Sequence, residues 1–182
     1  MNVIKQPNFI IFGKNSINEF NFPADCLVIT SKGAKKRGWL DFFKLKNYYI
    51  YDKVEPNPSI EIINEIISDF RDSNFSHVIG LGGGSSLDVA KFVAFKLKKF
   101  KILIPTTFGS GSEVTRISVL KVNGKKQSFH DDGLFADVAI IDPQFLENSS
   151  QDVIKNSAID ALAQCSEAYD SKLSNNYTKF LC

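Results

Sequence analysis

The chain has little of what marks a secreted, membrane-bound or nucleic-acid-binding protein. Only three cysteines occur in 182 residues, Cys26, Cys165 and Cys182. Their odd number and wide spacing exclude a disulfide framework and a paired-cysteine zinc site, and they read as reduced thiols. No excess of one charge is present: 22 basic side chains face 20 acidic ones. That balance removes the electrostatic signature of a nucleic-acid or membrane-surface binder and leaves small molecules as the expected partners. No uninterrupted apolar run approaches the roughly 20 residues that span a bilayer. Residues 1–8 lack the basic segment and apolar stretch of a leader, so a cytoplasmic location is the default expectation. Repeats and low-complexity tracts are absent as well. What remains is a chain with 43% hydrophobic side chains, enough for one good core, or for one domain and a piece of another.

Short β-rich runs alternate with helical patterns, the sign of a parallel sheet covered by helices. Cys26-Leu27-Val28-Ile29-Thr30 and Tyr48-Tyr49-Ile50-Tyr51 read as buried strands closed by turn residues. After Pro56-Asn57-Pro58, Ser59 is placed to cap a helix whose Ile60, Ile63, Ile67 and Phe70 recur at helical spacing. His77-Val78-Ile79-Gly80-Leu81 is the next strand, followed by a glycine run and a helix through Asp88 and Lys91. Lys101-Ile102-Leu103-Ile104 is a strand stopped by Pro105, which cannot donate to a ladder. Residues 116–122 and 125–129 alternate about Asn123-Gly124, a hairpin signal. Val138-Ala139-Ile140-Ile141 is a further strand. Residues 150–169 are helical, with Val153, Ile154, Ser157 or Ala158, Ala161 and Leu162 in a stripe, and residues 177–182 begin another helix. A domain boundary falls between Asp142 and Ser149.

Two loops carry the chemistry. Gly82-Gly83-Gly84-Ser85-Ser86 joins a strand to a helix, where an open α/β sheet places an anion. Glycines let backbone amides approach phosphate oxygens, and the helix N-terminus adds partial positive charge. The spacing is neither the Gly-x-Gly-x-x-Gly dinucleotide fingerprint nor a Walker loop, so the run alone also accommodates a plain turn. Pro105-Thr106-Thr107-Phe108-Gly109-Ser110-Gly111-Ser112-Glu113-Val114-Thr115 sets a second cluster of hydroxyls and glycines after the next strand, flanking the same crevice and favouring a ligand.

The segment from Gly82 to Lys91 resembles the glycine-rich segment of the iron-containing (group III) alcohol dehydrogenase family, and residues 104–115 are similar to that family's Ile-Pro-Thr-Thr segment. Val54-Glu55-Pro56-Asn57-Pro58, Ala139-Ile140-Ile141-Asp142-Pro143 and Ile159-Asp160-Ala161-Leu162-Ala163 extend the resemblance over nearly the whole chain. It implies an α/β domain at residues 1–147, an open, mostly parallel, Rossmann-like sheet binding NAD or NADP. Residues 148–182 would begin an all-helical domain that supplies most metal ligands. By resemblance Gly83, Gly84, Ser85 and Asp88 lie at the pyrophosphate, and Thr106, Thr107 and Ser110 contact the adenosine and nicotinamide side. Lys126 matches the lysine that approaches the cofactor ribose, the alternative being a solvated hairpin lysine beside Lys125.

Two departures from the family pattern matter. Ser31 stands where many members carry an acid that binds the adenosine ribose and repels a 2′-phosphate. With Lys32, Lys35 and Lys36 close in sequence, the expectation is that NADP is accepted, with the balance tilted towards it; otherwise Ser31 simply finishes the turn. The family's metal-binding Asp and His, four apart on one helix face, correspond to Asp160 and Gln164. A glutamine oxygen is a weaker donor than imidazole for iron or zinc, so affinity for the metal is expected to fall. His77 and His130 are not equivalents of the family's histidine ligands, and Cys165, about 100° round the helix from Gln164, reads as packing. The implied reaction is metal-assisted hydride transfer between nicotinamide and a small alcohol or aldehyde, with this stretch catalytically incomplete. Exposed faces on an incomplete chain imply self-association. A silent nucleotide-binding module and a lyase of the dehydroquinate synthase type are the alternatives, the second opposed by Ser85 and Ser86.

Overall fold

The computed structural model describes residues 3–147 and 149–182. The leader-free reading at Met1 and Asn2, and the division at Asn148, lie outside the described residues. Among the described residues eight strands form in chain order: β1 (Phe9–Phe12), β2 (Cys26–Ile29), β3 (Tyr48–Tyr51), β4 (His77–Gly82), β5 (Phe100–Pro105), β6 (Ile117–Val122), β7 (Lys125–His130) and β8 (Val138–Ile141). Six of them make one sheet in the order β1-β8-β5-β4-β2-β3, with every pairing parallel. β6 and β7 pair antiparallel as a separate hairpin about Asn123-Gly124.

The period of two along each strand sends alternate side chains to opposite faces, and both faces are covered, as a parallel sheet requires. Leu27, Ile29, Val78 and Leu103 pack beneath α3 (Glu61–Asp69) and α4 (Gly84–Leu97). Val28, Ile79, Leu81, Ile102, Ile104 and Ile140 face the other way, onto Ile17 of α1 (Ser16–Glu19), Ala34 of α2 (Lys32–Lys36), Trp39, Phe43 and Phe145 of α5 (Gln144–Glu147). Each such side chain contributes about 1.5–3 kcal/mol when fully withdrawn from water. Beyond the sheet, α6 (Gln151–Asp170) starts at Ser150, whose hydroxyl accepts from the Val153 N–H at 3.4 Å. α7 (Asn176–Leu181) starts at Asn175, which caps the Thr178 N–H at 3.0 Å.

Three expectations are corrected. Ser59 does not cap α3: the N-cap is Ile60, without a side-chain bond, and Ser59 instead bridges to Lys121 beside β6. Backbone bonds from Ile60 to Lys121 and from Lys121 to Pro58, at 2.9 and 2.8 Å, hold that extended segment. Pro105 does not stop β5 short but is its last residue, paired with Gly82. The stripe proposed for α6 is only partly withdrawn from solvent: among the described residues Ser157 is buried and Val153, Ile154 and Ala161 are half-buried, whereas Leu162 is exposed. The edge strand β1 had no counterpart in the sequence reading.

Candidate functional site

Adjacent strands β2 and β4 send their chain onward in opposite directions, β2 to β3 on one side and β4 to β5 on the other. This reversal opens a crevice at their carboxyl ends, the place where open α/β sheets bind ligands. The glycine run sits there. Gly82 takes φ +146°, and a Cβ on it would lie 2.7 Å from the Ser86 hydroxyl, so the bend needs glycine. Gly83 is the N-cap of α4. In this 14-residue helix the Ser86 and Leu87 amides donate to the Gly83 carbonyl at 3.0 and 3.2 Å, while the amides of Gly84 and Ser85, ahead of them, lie before the first intrahelical acceptor.

The second loop lies directly on that bend. The Thr106 N–H donates to the Gly82 carbonyl at 3.0 Å. A Cβ added at Gly83 would stand 3.3 Å from the Thr107 hydroxyl, and one at Gly84 would stand 3.1 Å from Ser110 Cβ. Of the residues singled out in the sequence, Gly83, Gly84, Ser85, Thr106, Thr107 and Ser110 are therefore brought together. Lys126 joins them from β7: it lines a polar pocket of about 260 Å³ with Gly84, Ser85, Asp88, Asn57 and Lys121. The Ser85 hydroxyl accepts from the Asn57 N–H at 3.3 Å.

Asp88 borders this pocket, but its carboxylate has protein partners. Oδ1 accepts from the Ser112 hydroxyl at 2.6 Å and faces Lys91 Nζ at 3.2 Å, while Oδ2 accepts from the Val119 N–H at 3.0 Å. Lys91 is fully buried, and burial pushes its ammonium below the usual lysine range against the pull of Asp88. Nearby Glu113 is pushed up by burial, with Lys91 opposing, and its Oε2 has no hydrogen-bond partner among the described residues. Sequence reasoning missed Lys91, Ser112 and Glu113 as parts of the site. The three-residue step from Asp88 to Lys91, which places both on one helix face, was the available signal for the lysine.

Ser31 lies at the end of β2, one strand over from the glycine bend, and opens α2 without a side-chain cap bond. The positive charge expected around it is partly engaged, since Lys35 pairs with Asp52 at 3.4 Å. Asp160 and Gln164 share a face of α6, where the Gln164 amide donates to Asp160 at 3.1 Å. The second loop touches this helix. Gly109 has φ +103°, and a Cβ there would meet Asp160 Oδ2 at 2.6 Å and the Ser157 carbonyl at 2.8 Å. Between loop and helix opens a mainly apolar cleft of about 840 Å³, lined by Thr107, Phe108, Glu113, Pro143, Ala161 and Gln164 among others. Cys165, read from the sequence as packing, lines it too.

No cluster of three or more His, Cys, Asp or Glu side chains among the described residues is placed to hold a metal ion. Asp160 and Gln164 offer one anionic and one neutral donor, already bonded to each other. Iron or zinc sites close with about four donors, so the pair does not make a metal centre by itself. The crevice, in contrast, fits a dinucleotide: free helix amides, a bend without side chains, and hydroxyls on the facing loop.

The fold is thus a Rossmann-like parallel α/β sheet with a loop-built crevice at its switch point, continuing into helices. The family model for iron-containing alcohol dehydrogenases matches residues 7–143, and the chain belongs to that family. The long-chain-alcohol dehydrogenase 1 of Geobacillus thermodenitrificans is 41% identical over 172 residues, covering 80% of this chain and 44% of that protein. An iron-containing alcohol dehydrogenase from Thermococcus thioreducens superposes with a TM-score of 0.88 at 25% identity, covering 98% of this chain and 57% of the other. A sulfoacetaldehyde reductase from Bifidobacterium kashiwanohense, solved in complex with NAD+, gives 0.83 at 27% identity over 94% and 54%. The chain therefore spans about half the length of these relatives. Among the described residues no helix is long and apolar enough to cross a membrane.

Proposed function

We propose that these residues form the dinucleotide-binding part of an NAD(P)-dependent oxidoreductase that interconverts a small alcohol and its aldehyde or ketone. The observation that carries this reading is the direct contact between the glycine bend and the Thr106–Ser110 loop at the switch point. The name of the Geobacillus relative and the NAD+ in the Bifidobacterium structure support it. Residues 1–147 make the nucleotide domain and residues 148–182 the start of a helical one.

The amides of Gly83, Gly84 and Ser85 bind the diphosphate, stabilised by the dipole of α4. Thr106, Thr107 and Ser110 orient the two nucleoside halves, Lys126 approaches a ribose from the polar pocket, and Ser31 meets the adenosine ribose. When bound, the cofactor supplies or accepts hydride at its nicotinamide ring. Alignment is the protein's part: the second loop meets both the diphosphate bend and α6, so it fixes the distance from cofactor to cleft. The apolar lining of the cleft excludes water from the reacting carbon. Asp160 and Gln164 would each give one donor to an iron or zinc ion in a longer protein whose further helices complete the set.

Titrating the protein with NADH and NADPH, followed by nicotinamide fluorescence, tests the reading. Saturable binding of one or both, without measurable alcohol oxidation by these 182 residues, is the expected result. Absence of binding to either nucleotide contradicts it. A net reduction of NAD(P) by a primary alcohol in the longer protein separates a dehydrogenase from a lyase that uses NAD only transiently.

A further inference from the structure

Asp88 is the fourth residue after Gly84, one turn into the helix that begins at the phosphate bend. It shares a pocket with Gly84 and Ser85 and so has the place of a diphosphate ligand, yet a carboxylate facing phosphate oxygens is repelled unless a cation intervenes. Its hydrogen bonds run elsewhere. Beyond the three donors on its carboxylate, its main-chain carbonyl accepts from the Ser118 hydroxyl at 2.9 Å. Lys91, one turn further along, reaches the same place: its ammonium donates to the Ser112 carbonyl at 2.8 Å and to that of Ile117. An unpaired buried ammonium would be costly. This one has a carboxylate and two carbonyls around it, which uses all three of its N–H donors.

These contacts share a geometry. Ser112 closes the second loop, and Ile117, Ser118 and Val119 open β6, whose hairpin partner carries Lys126 in register with Lys121. From the dinucleotide reading above, we infer that Asp88 and Lys91 are positioning residues rather than cofactor ligands. They clamp the Thr106–Ser112 loop and the Lys126 hairpin to the phosphate helix, so that three separate cofactor contacts move as one body. A carboxylate and an ammonium on one helix face are suited to this because each serves several main-chain partners at once, and charge-assisted bonds are shorter and stronger than neutral ones.

The test compares the wild-type chain with Asp88→Asn, Lys91→Met and Ser112→Ala, each titrated with NADH and with inorganic pyrophosphate, a probe of the glycine bend alone. Ser112→Ala removes a hydroxyl aimed at Asp88 and none aimed at cofactor. The clamp requires NADH affinity to fall by about tenfold in each variant, the factor expected for one charge-assisted bond, while pyrophosphate affinity stays within about twofold. Combining Asp88→Asn with Ser112→Ala should cost no more than the larger single loss, because both break one contact. Ser112→Thr, which keeps the hydroxyl, should restore binding. Hydrogen exchange of residues 106–115 should quicken in Ser112→Ala without any nucleotide present.

Loss of NADH and pyrophosphate binding together in Asp88→Asn, with Ser112→Ala unaffected, would instead make Asp88 a direct ligand. Wild-type affinity in all three variants also overturns the clamp. Should Lys91→Met fail to fold, Ser112→Ala still decides. If the wild-type chain binds neither nucleotide, the dinucleotide reading falls; the exchange measurement then judges the clamp separately, and unchanged exchange in Ser112→Ala overturns it too.

Discussion

The sheet and the helices that follow it solve the burial problem differently. Around the sheet, Leu81, Val89 and Ile104 are withdrawn entirely from solvent. On α6 and α7, Ile159 and Leu162 keep about two thirds of their surface exposed (65% and 68%) and Phe180 keeps 85%. Helices of this length owe most of their stability to packing of an apolar face, and this face has little to pack on. The sheet thus carries its own core, whereas the helices after it meet it at the second loop, where Gly109 approaches Asp160, and through the Gln6 amide, which donates to the Tyr177 hydroxyl at 2.7 Å. On the function proposed above, binding of nucleotide and chemistry at the cleft are accordingly separable properties.

The comparison can be broken most severely in the core. Leu103→Ala, with its side chain fully buried between β5 and α4, should lower unfolding free energy by about 2–5 kcal/mol, whereas Leu162→Ala on the exposed face of α6 should stay within about 0.5 kcal/mol. Chemical denaturation measures both, and similar losses would erase the contrast. Next in size is the junction. Gly109→Ala forces an unfavourable φ and pushes a methyl group into Asp160 and the Ser157 carbonyl, so a loss of about 1–3 kcal/mol is expected. Faster amide exchange at residues 157–161 would show that the damage lies at the helix and not in the sheet.

How far these features were legible in the sequence follows the same division. Cys26–Ile29 and Val138–Ile141 could be read because β-branched and apolar runs with turn residues at their ends have few other uses. Phe9–Phe12 is as apolar but forms an edge strand whose side chains are mostly exposed, and no alternation marks which face it buries. α1, α2 and α5 span four or five residues, too short for a period of 3.6 to repeat. The glycine bend and the hydroxyl loop were visible as motifs, and so was the Asp160 and Gln164 pair. The partners of Asp88 were not, since Ser112 and Val119 lie 24 and 31 residues downstream and only the folded β5–β6 path brings them back. Full burial of Lys91 was hidden for the same reason, a lysine being an exposed residue by composition alone.

Smaller effects sharpen the picture at single groups. Ser31→Asp places a carboxylate at the end of β2 proposed to meet the adenosine ribose and should weaken NADPH binding by about tenfold while leaving NADH binding intact. An equal change for both cofactors would move Ser31 out of the ribose site. Glu113 has its folded-state pKa raised by burial, so the native protein holds a proton that the unfolded chain releases more readily. Its contribution to stability therefore declines as pH climbs from the ordinary carboxylate range through the raised value, and levels off above it. Glu113→Gln removes that decline: a small rise in melting temperature is expected at about pH 8 and none at about pH 4. A gain that grew on acidification would reverse the sign and refute the assignment.

The crevice amides carry the proposed function. In a two-dimensional 15N–1H spectrum of the chain titrated with NADH, the peaks of Gly83, Gly84 and Ser85 should shift most, with those of Thr106 and Thr107 moving at the same ligand concentration. Shifts concentrated on α6 or on the β1 edge, with the glycine peaks unmoved, would contradict it.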